Sequence, residues 1–145
     1  MLTNGQLHEI LAAVSLRHNS LKAKFAEFAK HLETALPKDD YLVKGISVKT
    51  VLESDYVELR FAGRVLKFVF TSLVPEAQHK LVGSVQCYLV VDTPERKLVE
   101  VGGFTFKPSG ESDIKPPPDN DPIHVNFDTS ALYIALNLIH EALSK

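Results

Sequence analysis

The chain has 145 residues, 45% of them hydrophobic, enough for one domain with a true core. Charged residues make up 23% and balance to a net −2, so the basic excess of a nucleic-acid binder is missing and nucleic acid is not an expected partner. The single cysteine, Cys87, excludes an intrachain disulfide and points to a reducing compartment, hence a cytoplasmic location.

The N-terminus carries no charged leader-type region, and Ile10 to Leu16 is followed at once by Arg17-His18, so it reads as helix and not as a signal peptide. No apolar run is long enough to span a bilayer, and no membrane partner is expected. Thr3 and Gln6 form a capping-box pattern. From there Leu7, Leu11, Val14, His18, Leu21, Phe25, Phe28, Leu32 and Ala35 keep a three-four spacing without a phase break. Pro37 ends the pattern, which predicts a helix over 4–36.

Such a helix is about 50 Å long at 1.5 Å per residue. A five-stranded sheet is only about 20–25 Å wide. One end must therefore overhang, unless the helix breaks at the cap-forming pair Asn19-Ser20. The continuous helix is preferred, and its overhang needs the C-terminal helix or a second subunit to cover it. Leu7, Leu11, Val14, His18 and Leu21 are the candidate interface. His18, on the apolar stripe, is either a pH-sensitive group at that interface or a histidine at the stripe's edge.

The strands fall within 44–107. Gly45 to Glu53 alternates as a first strand. Val57, Leu59 and Phe61, then Leu66, Phe68 and Phe70, alternate with polar residues around Ala62-Gly63 and predict an antiparallel hairpin. An even loop sets Leu59 against Leu66, Val57 against Phe68 and Glu58 against Lys67, which keeps one face apolar and pairs opposite charges on the other. A second hairpin, Leu81–Asp92 and Leu98–Lys107, turns around Thr93-Pro94. Its Val85, Leu89, Val90 and Val91 put apolar groups on both faces, so a cover over each face is expected. Gly102-Gly103 predicts a bulge or bend.

Residues 108–122 form a Pro- and Asp-rich loop in which four carboxylates face Lys115, a net of −3. Asp128 is an expected N-cap for a last helix over 129–144, whose narrow polar strip is Tyr133, Asn137, His140, Glu141 and Ser144. The whole reads as a single α+β domain, 1–145. It is an antiparallel sheet of about five strands in meander order, with a long N-terminal and a C-terminal helix packed on one face.

Chemical motifs are sparse. His8-Glu9 and His140-Glu141 begin a zinc-protease pattern, but Ala12 and Ser144 stand where the second histidine belongs. Asp119, Asp121, His124 and Asp128 match no calcium loop, so no metal is expected. There is no phosphate loop, no nucleophile elbow and no implied cofactor. Cys87 would need a base such as His124 or His79 to become a nucleophile. Without a catalytic constellation, the expected function is a non-catalytic protein-interaction module (an adaptor, a chaperone-like or an inhibitor or immunity-like protein), working as a homodimer or with another protein. The alternative is a small-molecule binder or enzyme with a pocket between sheet and helices, its mouth lined by Cys87, Tyr88, His124 and Tyr133.

Overall fold

The computed structural model describes residues 1–75 and 80–145. The polar connection read from the sequence over residues 74–80, between the two hairpins, falls largely outside them. The elements run α1 (Asn4–Ala35), β1 (Ser47–Val51), β2 (Tyr56–Phe61), β3 (Arg64–Leu73), β4 (Val82–Val91), β5 (Lys97–Phe106) and α2 (Asp128–Ala142). The five strands form one antiparallel sheet in the order β1-β2-β3-β4-β5. Both helices pack on the same face of it.

α1 starts where its caps require. The Gln6 backbone N–H donates to Thr3 Oγ1 at 3.1 Å, and the Thr3 N–H donates to Gln6 Oε1 at 2.9 Å. The helix continues through Asn19-Ser20 without a break. Both residues are exposed there, and the Ser20 hydroxyl donates back to the Leu16 carbonyl at 3.3 Å, a bond that a continuous helix accommodates.

The β2–β3 turn is the two-residue loop Ala62-Gly63, with φ of 52° and 76°. Positive φ at both central residues is what a tight hairpin twist demands, and only the glycine adopts it without strain. The register follows from the turn: Leu59 opposes Leu66, Val57 opposes Phe68 and Glu58 opposes Lys67. The first strand is shorter than Gly45–Glu53, because the chain leaves the ladder after Val51 for a single 3₁₀ turn, Leu52–Ser54.

In the second hairpin the register slips between Cys87 and Tyr88, which face Gly102 and Glu100 and leave Val101 as the extra residue. This is a β-bulge beside the Gly102-Gly103 pair. A Cβ on Gly83 would lie 2.4 Å from the Phe106 ring of its cross-strand partner. The ring covers the glycine and takes the volume a side chain would use.

The core is a row of rings between sheet and helices. Phe25 stacks on Phe70 at 5.2 Å, and Phe28 meets Phe68 at 6.2 Å and Phe104 at 5.6 Å. Phe106 lies 6.1 Å from Phe70. Of the second hairpin's apolar residues, Val85 and Leu89 are buried in this core. Val90 lies on the other face, beside Val65 and Leu98, and among the described residues no helix covers it.

The 108–122 segment is pinned by hydrogen bonds. Thr105 N–H donates to Asp113 Oδ1 at 3.0 Å, and Asp113 N–H donates to the Thr105 carbonyl at 3.1 Å. Ser112 pairs with Phe106, and its hydroxyl donates to the Ile123 carbonyl at 2.7 Å. The segment thus closes the free side of β5 near its end. α2 begins one residue before its expected start. Phe127 is the N-cap and Asp128 sits in the first turn, where its carboxylate accepts from the Thr129 N–H at 2.7 Å. An acidic group there still complements the positive helix end.

Candidate functional site

Among the described residues α1 is joined to the sheet along its C-terminal part. Leu21, Phe25, Phe28, Ala29 and Leu32 are buried, whereas residues 1–16 are all exposed. The helix leaves the sheet at Arg17 and His18. Arg17 Nε donates to the Leu81 carbonyl, and His18 Nδ1 shares a 2.6 Å hydrogen bond with Ser72 Oγ. His18 also lies 5.9 Å from the Phe70 ring, at the edge of the aromatic row.

Beyond that point about three and a half turns project, roughly 20 Å of helix at 1.5 Å per residue. Among the described residues nothing covers their apolar stripe. Leu7 is 39%, Ile10 48%, Leu11 62% and Val14 38% exposed. These four stand at i, i+3, i+4 and i+7, one face of a helix. In a fully packed helix such a face would be covered; here it is an exposed apolar face. Two members of the expected interface behave differently. Leu21 is completely buried in the protein's own core, so it belongs to no exposed surface. His18 is half-buried and engaged with Ser72. Ile10 belongs to the exposed face but drops out of a strict three-four count. It is visible only when the i+3 neighbour of Leu7 is counted as well.

The four residues expected to line a pocket mouth do not come together. Cys87 is paired with Phe68 and is wholly buried under the helices. Tyr88, the next residue on a regular strand, points to the opposite face, between Lys67 and Glu100. Tyr133 is exposed on the polar strip of α2. His124 stacks on Phe127 with centroids 4.7 Å apart. Where the mouth would open, between sheet and helices, the space holds the phenylalanine rings. Burial pushes the Cys87 thiol far up from its ordinary value, the reverse of what a nucleophile needs. His79, the other base considered for it, lies outside the described residues. Among the described residues no three His, Cys, Asp or Glu side chains gather to share a metal ion, Asp119, Asp121, His124 and Asp128 included. Among the same residues no helix is long and apolar enough to cross a membrane.

The chain matches no protein-family model, and neither the curated proteins nor the solved structures give a significant match.

Proposed function

We propose that the protein is a non-catalytic interaction module, of the adaptor, chaperone-like or inhibitor type, that pairs with a second copy of itself through the projecting half of α1. The exposed face Leu7–Ile10–Leu11–Val14 carries this reading. Between Asn4 and Leu16 the only formally charged side chain is Glu9, so two such helices meet apolar to apolar without facing rows of like charge. A two-fold axis brings the same patch onto itself, the usual geometry of soluble homodimers. Action in the cytoplasm suits a chain with one unpaired cysteine.

The magnitudes set the strength of the pair. Burying a fully exposed aliphatic side chain is worth about 1.5–3 kcal/mol. At roughly half exposure, four residues from each copy supply about 8 kcal/mol. Association itself costs about 4–15 kcal/mol. At the low end of that cost about 4 kcal/mol remains, so the dimer is weak and reversible, with a Kd of about 1 mM. The same weakness leaves the helix open to exchange with another protein. A ligand pocket between sheet and helices would instead have to displace Phe28, Phe68 and Phe104 from contact with one another.

Sedimentation equilibrium from about 1 µM to 1 mM tests the pairing. Mass is expected to rise with concentration in the wild type and to stay monomeric in Leu11→Glu. A wild-type monomer throughout that range ends the self-association reading.

A further inference from the structure

We infer that the free edge of β1 receives an extended segment of another protein, added antiparallel as a sixth strand, with an acidic residue opposite Lys49. The two edges of the sheet are treated differently. On β5, the 111–114 segment bonds back to Thr105 and Phe106. On β1, among the described residues, no backbone group of Ser47–Val51 bonds to anything but β2. An open row of N–H and C=O groups is a template for strand addition.

The surroundings of that edge specify the occupant. A groove of about 320 Å³ runs between α1 and the end of β1, lined by Ala26, Glu27, Lys30, Glu33, Thr50 and Leu52. A second one, of about 570 Å³, continues around the edge past Lys49, Val51 and Tyr56. The two meet at Thr50, whose Oγ1 is out of contact with water and has no hydrogen-bond partner.

Charge sets the rest. On the open face, cross-strand neighbours read Lys49, Glu58, Lys67, alternating in sign. Among the described residues Lys49 is in no ion pair; Glu58 is taken by Arg60 at 3.9 Å, and the Lys67 ammonium sits 4.8 Å over the Tyr56 ring. An acidic residue opposite Lys49 extends the alternation. A second copy of β1, paired symmetrically about Lys49, would bring lysine against lysine, which guards against self-pairing. The occupant is thus an extended strand with a carboxylate opposite Lys49, flanked by small residues.

A fluorescein-labelled peptide with Thr before and Val after a central Glu is titrated by anisotropy to about 1 mM. Binding is expected, with amide shifts confined to β1 and the 26–33 stretch of α1. Lys49→Glu should weaken it about three- to tenfold and favour the Glu→Lys peptide instead. N-methylation of alternate peptide residues should abolish binding in one phase only. No binding to any of these peptides, binding indifferent to Lys49→Glu, or equal binding of both N-methylated phases overturns the inference. The edge is separate from the projecting helix, so Leu11→Glu leaves this titration unchanged.

Discussion

The two halves of α1 carry the same pattern and live in different surroundings. From Leu7 to Leu32 the apolar spacing never loses phase, yet Phe25, Phe28 and Leu32 are buried and Leu7, Leu11 and Val14 are in water. A periodic stripe therefore specifies which side of a helix is apolar, not what covers it. The cover is decided by sheet width. Five strands support the half from Leu21 onward, and the first turns run past them. One half of the helix is a structural beam and the other is a surface on offer.

The largest test of that division is a matched pair of truncations. Phe28→Ala removes a ring packed against Phe25, Phe68 and Phe104 and should cost about 3–5 kcal/mol in urea unfolding. Leu11→Ala, on the same stripe, should change the stability of the dilute monomer by no more than about 0.5 kcal/mol. Comparable losses for the two would mean that the projecting half is packed in the monomer after all.

What the sequence made legible follows from the same division. The first hairpin's register was readable because Glu58 and Lys67 pair only when the apolar set stays together, so charge and burial agreed. The hairpin turn followed from the chemistry of Ala62-Gly63, and the start of α1 from the Thr3 cap, whereas the expected Asp128 cap of α2 fell one residue late. The state of Leu21 was not readable, since nothing local marks where a helix meets its sheet. Nor was the open edge of β1, because edge status depends on neighbours that topology supplies. Grouping Cys87 with Tyr88 ran against the strand period itself: adjacent residues of a regular strand cannot face one cavity. The ring over Gly83 had no local signal, because its source, Phe106, lies on another strand.

A middle-sized effect concerns the thiol beneath the supported half. Burial raises the Cys87 pKa above its ordinary 9.0, so the folded protein keeps the proton after the unfolded chain has lost it. The folded state then binds more protons, and stability falls as pH rises. This group alone should leave stability flat below about pH 8 and lower it by about 1.4 kcal/mol per unit above about pH 9. Cys87→Ala should remove that slope, whatever its own cost in packing. Urea midpoints at pH 7, 9 and 10 for both proteins measure it, and a slope that survives in Cys87→Ala assigns the effect elsewhere.

The smallest effect tells the halves apart most cleanly. Thr3 caps a helix end that lies well beyond the sheet. Thr3→Ala removes the bond to the Gln6 N–H and should cost about 1 kcal/mol locally. A short helix is marginal by itself in water, and the projecting turns persist because the supported half has already paid for nucleation. Losing the cap should therefore fray residues 4–10 and leave global unfolding unmoved. Amide exchange should quicken several-fold at Leu7 to Ile10 and not at Leu21 to Leu32, at concentrations where the chain is monomeric. Repeated at high concentration, the same experiment should show those first amides protected again if the proposed pairing through Leu7 and Leu11 supports the free half. Protection that does not change with concentration would leave the projecting half uncovered in every state of the protein.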